Sequence, residues 1–412
     1  MKARSPYSDC PFCKQRESFG IVVIGRGRFT RKCNSCQQTQ AFALPQPTKT
    51  VIYLDQFVLS NISKVLSSDT PAKKKGRIDP FYLSLFAKLH RLLRLQLMVC
   101  PQSPIHRDES VVSSDYEKLE QVYAFFPEGV KFREPETIRN GQIITVAKRR
   151  FQDAVDDYCM TRDFAIIGEI HKWENFPGIR LRAPILPGYE SALLRIKAAR
   201  RKAYTEVHGD WARSGSVTFQ ERYRDERTGL GKSLFRRWNR ILKRETEIAS
   251  GISERTDGDA WAFLEPEVRL LFDLFTLFRE NMDNNGDFVA EVWRFLASNE
   301  LDAVPYLRIS SLLFAALARR AANANKAPDN VPFEDVDMIA AYLPLCDAMF
   351  IDREMHGLLQ QRAVRDQLGF NTKVFSLRTK SEFLDYLDAI EAGAPRQHIE
   401  TAEAIYPREL LN

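Results

Sequence analysis

The chain has 412 residues, 44% hydrophobic and 28% charged, enough for a sizeable core and for two or three domains rather than one. Charge-free stretches fall short of the roughly 18 apolar residues a membrane helix needs, and no apolar segment follows the basic N-terminus. The sequence therefore predicts neither a membrane span nor a secretory signal, and points to a cytoplasmic protein. The net charge of +6 is uneven: residues 1–50 hold nine Lys/Arg against two Asp/Glu, residues 195–244 hold fifteen against five, and the remainder is net acidic.

Four of the seven cysteines form two C-x-x-C pairs, Cys10 with Cys13 and Cys33 with Cys36. This spacing lets four thiolates turn around one tetrahedral ion, with a hairpin between the pairs. The β-branched run Phe19–Ile24, the turn Gly25-Arg26-Gly27 and the return through Arg28 to Lys32 supply that hairpin. Two disulfides would suit an intracellular chain poorly, because cytosolic thiols stay reduced. Residues 1–47 are thus expected to be a ribbon around a structural zinc, with Cys100, Cys159 and Cys346 as small buried residues.

Leu44-Pro45-Gln46-Pro47 reads as a stiff linker, and Thr50–Leu54 as a buried strand ending on Asp55. A helix over 80–95, a strand over 95–100, a loop over 101–107 and a helical pattern over 108–126 follow. From 135 to 330 the chain reads as helical, broken at 176–188 and near 209–216. Strand–helix alternation returns with a helix over 333–343, strand 348–351, helix 354–368, strand 373–377 and helix 381–392. Alternation at both ends predicts an α/β fold with one parallel sheet built from distant segments. The expected division is a ribbon (1–47), an α/β domain in two parts (48–134 and 331–412) and a large helical insertion (135–330).

Acids stand just beyond the apolar runs: Asp55, Glu109, Asp337 and Asp352. The carboxyl ends of parallel strands are where ligands bind in open α/β sheets. Converging carboxylates repel unless a divalent cation compensates them, and hard oxygen ligands suit Mg²⁺ or Mn²⁺. Such an ion polarises a phosphodiester and acidifies a bound water. A strand-end Asp also serves as a turn or N-cap residue, so the argument rests on the set. Asp335 and Asp347 are near alternatives to the later ligands, and Asp108 to Glu109. His106 is a further candidate, as proton donor or core histidine.

This order resembles the PIN-like metal-dependent nucleases. VIYLDQ, ending at Asp55, looks like their opening strand, and Glu109 like their middle acid. Asp337-Met-Ile-Ala-Ala and Phe350-Ile351-Asp352 look like their closing pair. The similarity covers residues 50–126 and 333–392. Gln56, Phe350-Ile351 and the insertion of about two hundred residues depart from the pattern. The resemblance implies a PIN-like sheet and a Mg²⁺ or Mn²⁺ nuclease, RNA favoured over DNA, with Asp55, Glu109, Asp337 and Asp352 as ligands. The alternative is an inactive PIN-like module that binds nucleic acid or protein. A phosphatase using Asp55 as nucleophile would want a second Asp two residues on, where Phe57 and Val58 stand instead.

Residues 195–244 interleave basic runs with Tyr204, Trp211, Phe219, Tyr223, Phe235 and Trp238. Cations neutralise phosphates and aromatics stack on unpaired bases, so Arg200, Arg201, Arg236 and Arg237, with Arg26 and Arg28 of the ribbon, are candidate nucleic-acid contacts. The alternative is a solvated helical surface with its aromatics inward. Gly229-Leu-Gly231-Lys232-Ser233 lacks the leading glycine and the strand of a phosphate-binding loop.

Overall fold

In the computed structural model, residues 7–25, 27–66, 79–113, 116–123, 126, 129–174, 188–213, 217–263, 265–283, 286–322 and 332–406 are described. Arg26, most of the expected break at 176–188, and 214–216 lie outside them. No helix among them is long and apolar enough to cross a membrane.

An antiparallel sheet opens the chain: β1 (Phe19–Gly25), β2 (Arg28–Cys33) and β3 (Thr39–Ala43), in that order. A parallel sheet follows, built from β4 (Thr50–Leu54), β5 (Met98–Val99), β8 (Ala348–Phe350) and β9 (Lys373–Phe375) in the order β5-β4-β8-β9. The short pair β6 (Lys131–Phe132) and β7 (Ile166–Ile167), which sequence periodicity did not reveal, stands apart. The helices are α1 (Gln56–Leu66), α2 (Phe81–Arg94), α3 (Pro104–Val111), α4 (Tyr116–Tyr123), α5 (Pro135–Lys148), α6 (Arg162–Ala165), α7 (Tyr189–Arg213), α8 (Phe219–Ala249), α9 (Asp257–Ala262), α10 (Pro266–Asn281), α11 (Phe288–Leu296), α12 (Pro305–Ala321), α13 (Phe333–Tyr342), α14 (Arg353–Leu359), α15 (Arg362–Leu368), α16 (Lys380–Ala392) and α17 (Arg396–Ile405).

Strand alternation divides the core. Val51 and Tyr53 of β4 point into a cluster with Ile138, Leu271, Phe295, Leu313 and Ile339, while Ile52 and Leu54 point into another with Val58, Leu85, Phe350 and Phe383. The segment 135–330, expected as a separate insertion, therefore shares its core with one face of the sheet. Its α12 buries Ile309, Leu312, Leu313, Ala315 and Ala316 almost completely. The other face stacks Phe350 on Phe81 at 5.6 Å and on Phe383 at 4.9 Å. Burying each such ring contributes roughly 2–3 kcal/mol.

Other boundaries shift for local reasons. Asp352 and Gly369 frame two short helices, α14 and α15, where one was expected, and Gly369 adopts φ +67°, a left-handed cap. Pro104 starts α3 inside the expected loop, because proline suits the first helical turn. The 44–49 linker is clamped: Trp173 Nε1 donates to the Pro45 carbonyl at 2.7 Å and Gln46 Nε2 to that of His171 at 3.0 Å.

Candidate functional site

The parallel sheet reverses direction of growth at β4. The chain leaves β4 for β5 on one side and returns as β8 on the other, so the carboxyl ends of β4 and β8 flank a switch point, the usual ligand crevice of such sheets. Leu54 pairs with Phe350, and Asp55 N–H donates to the Phe350 carbonyl at 3.0 Å. Asp55 and Asp352 thereby leave adjacent strands side by side. The Asp55 carboxylate accepts from the backbone N–H of Phe57 at 3.3 Å. Asp352 caps α14, its Oδ1 accepting from Glu354 N at 2.6 Å and Met355 N at 3.1 Å.

Two helices bring further acids to this edge. Glu109 lies on α3 and Asp335 in the first turn of α13; neither side chain makes a hydrogen bond or ion pair to a described residue. All four carboxylates are half-buried. Burial and then the neighbouring charge of Asp352 push Asp55 up to about 7, and burial and then Asp55 push Glu109 up to about 7. Asp335 is raised well above the usual carboxylate range by burial, Asp55, Asp352 and Glu109, in that order, and Asp352 is raised chiefly by burial. Neighbouring carboxylates that raise a pKa mark a region of negative potential.

Asp337 does not join them. Its Oδ1 accepts from the Tyr306 hydroxyl at 2.6 Å, and its other charged neighbours are Glu136, Arg139 and Arg200. Two residues along a helix are about 200° apart, so Asp335 and Asp337 cannot both face the sheet edge. The alternative named beside Asp337 is the acid that faces Asp55. Asp347 is at the opposite end of β8, its Oδ2 accepting from Val51 N at 2.7 Å and its Oδ1 pairing with Arg162 at 2.9 Å. Asp108 accepts from the Tyr189 hydroxyl at 2.6 Å.

Below the acids lies a buried tie between the same elements. Tyr53 Oη of β4 is 2.9 Å from His106 Nε2 of α3 and donates to Met338 Sδ of α13, also at 2.9 Å. Burial pulls His106 down to about 3, which keeps it neutral and assigns it to the core. Gln56 carries a role that the sequence did not disclose. Its Nε2 donates to Ser110 Oγ at 2.9 Å and its Oε1 accepts from the Tyr123 hydroxyl at 2.7 Å, holding α3 and α4 against α1.

The donor set is hard oxygen, in keeping with Mg²⁺ or Mn²⁺ rather than a thiophilic metal. Among the described residues, however, no three carboxylates lie within 4.8 Å of one another; the cysteine cluster alone meets that limit. Mg²⁺ characteristically keeps several waters between itself and its ligands.

The cysteines form the second centre. Cys10 Sγ is 3.7 Å from Cys36 Sγ, Cys13 Sγ is 3.7 Å from Cys33 Sγ, and all four sulfurs lie within 4.8 Å of one another. Tetrahedral Zn²⁺ with bonds near 2.3 Å requires sulfurs about 3.8 Å apart, so the four cysteines fit a structural metal such as zinc. A disulfide would need about 2.05 Å. Lys14 and Gln37, each just after a pair, adopt φ of 60° and 61°, turning the backbone back on the sulfurs. Phe12 N donates to Cys10 Sγ, and Ser35 N and Cys36 N to Cys33 Sγ, at 3.3–3.4 Å. The Ser18 hydroxyl, 3.4 Å from the sulfur, is first among the groups that lower the Cys33 thiol, while burial and the neighbouring thiols raise Cys36, so the four sulfurs share their protons as one cluster.

The candidate cations are dispersed. Arg28, Arg201 and Arg236 are exposed, Arg200 pairs with Glu334, and Arg237 pairs with Glu265 and, at 3.8 Å, with Glu267. Tyr204, Trp211 and Phe219 are buried, Tyr223 and Trp238 are half-buried, and Phe235, 47% exposed, meets Trp293 edge-on at 5.1 Å. No family model, no curated protein and no solved structure matches this chain.

Proposed function

We propose that the chain is a PIN-like, metal-dependent nuclease that hydrolyses phosphodiester bonds of nucleic acid, with RNA favoured over DNA by the resemblance in residues 50–126 and 333–392. One observation carries the reading: Asp55, Glu109, Asp335 and Asp352, from four separate stretches of chain, gather half-buried at the carboxyl edge of a parallel sheet, where the charges of Asp55, Asp352 and Glu109 raise Asp335. These four would hold Mg²⁺ or Mn²⁺. When bound, the ion supplies Lewis acidity towards a phosphoryl oxygen and acidifies water. Asp55 and Asp352 are held by backbone N–H groups, so they offer a rigid floor, while Glu109 and Asp335 are free to close on a ligand. Hydrolysis forms a bond from the water oxygen to phosphorus and breaks one ester P–O bond. The water's proton passes to a carboxylate, and the leaving oxygen takes a proton from solvent.

A second reading, an inactive PIN-like module that binds nucleic acid or protein, is favoured by the absence of three carboxylates within 4.8 Å among the described residues. Labelled single-stranded RNA and DNA with Mn²⁺ separate the two. The nuclease reading expects cleavage by the wild-type protein and a fall of at least about 100-fold in Asp55→Asn, the scale of losing a group that stabilises transition-state charge. Equal product from both proteins contradicts it.

A further inference from the structure

The helical middle of the chain reaches the acid cluster. On α7, Leu193, Lys197, Arg200 and Tyr204 follow one another at spacings of four, three and four, a single stripe down one helix face. Leu193 and Tyr204 are buried. The Tyr204 ring meets Phe333, the first residue of α13, edge-on at 5.4 Å. Arg200 pairs with Glu334, the next residue. These contacts lay the stripe over the first turn of α13, where Asp335 follows directly.

Lys197 lies one turn before Arg200, half-buried, and makes no hydrogen bond or ion pair to a described residue. It belongs to the helix face that Arg200 and Tyr204 lay against Glu334 and Phe333, the two residues before Asp335. An ammonium on a flexible four-carbon stem, beside carboxylates but bonded to none, suits an anion that arrives on the acids' far side. Once the acids are neutralised by a divalent cation, that anion is a phosphate.

We infer that Lys197 contacts the phosphodiester of a bound nucleic acid, so that the site is completed by α7 and not by the sheet alone. The inference rests on the nuclease reading for its substrate. Arg200 is committed to Glu334 and holds the helix in place; Lys197, bonded to no carboxylate, is left to reach the phosphate.

The test measures binding of a fluorescein-labelled single-stranded RNA by full-length protein in an Asp55→Asn background, by anisotropy at several KCl concentrations with Mn²⁺ present. Loss of one phosphate contact lowers the slope of log K against log salt by about 0.7 for a single strand. Lys197→Ala should show that drop and Lys197→Arg should restore the slope. Arg396→Ala, at an exposed residue paired with Glu400, should leave it unchanged. In protein with Asp55 intact, Lys197→Ala should slow cleavage about 100-fold. Lys197→Gln repeats the measurement if the alanine variant is unstable. An unchanged slope in these variants, or no RNA binding by the parent, overturns the inference. A lowered slope without cleavage by any protein keeps Lys197 as a phosphate contact and removes the nuclease reading.

Discussion

Asp335 and Asp337 differ by two positions and by most of their chemistry. Asp335 faces three other acids, whereas Asp337 is answered by the Tyr306 hydroxyl and sits near Arg139. Sequence spacing puts both in the first turn of a helix and is silent on its rotation, so the choice between them became visible only with α13 packed. Gln56 is the other residue whose part the sequence concealed, since its two partners lie 54 and 67 positions away. Replacing it by alanine removes two side-chain hydrogen bonds and leaves the Tyr123 hydroxyl, at 3.5 Å, as the remaining partner that can donate to buried Ser110. Gln56→Ala should therefore lower stability by about 1–3 kcal/mol and weaken activity by loosening α3, which carries Glu109. Chemical denaturation and cleavage measured on the same preparation check this; an unchanged midpoint would remove Gln56 from the supporting structure.

At the scale of elements, the periodic segments were legible: the ribbon hairpin, β4, α2, α13, β8 and α16 lie close to their expected spans, because each pairs a strong apolar period with clear end signals. The two-residue pairing of β6 with β7 was not, since so short a strand has no period. Nor was the break between α14 and α15. The elements at the sheet edge also give a pH dependence. In the unfolded chain the four acids titrate near 4. In the folded protein Asp55 and Glu109 stand at about 7, and Asp335 and Asp352 are raised, so the folded state binds more protons. Stability from these groups is complete below the unfolded value and is lost as pH rises to about 7. Without divalent ions, the melting temperature should fall more between pH 5 and pH 8 in the wild type than in Asp335→Asn, which has one fewer titrating acid. Added Mg²⁺ should raise the wild type more at pH 8 than at pH 5. Calorimetry at the two pH values checks this, and identical falls in both proteins would contradict it.

At the scale of the whole molecule, composition hinted at separable parts and packing denies it. Phe29 and Leu44 of the ribbon and linker enter the same cluster as Leu54 and Phe350, and Arg31 reaches the Ala404 carbonyl at 2.9 Å. Lys49, almost fully buried, pairs with Glu174 at 3.5 Å, and burial pulls it down to about 8. The helical middle closes over the other face of the sheet and brings α7 to the acids. Long-range contacts of this kind leave no periodic trace in a sequence, whereas the strand-end acids and the C-x-x-C spacing are local and could be read. The central claim is that Asp55, Glu109, Asp335 and Asp352 hold one divalent-cation site. Mn²⁺ titration of the zinc-loaded chain, followed by the paramagnetic resonance of free Mn²⁺, tests it most directly. Saturable binding should weaken at least about tenfold in Asp335→Asn, as one charged ligand is lost, and stay unchanged in Asp337→Asn. Equal binding by all three proteins, or none by the wild type, would contradict the site.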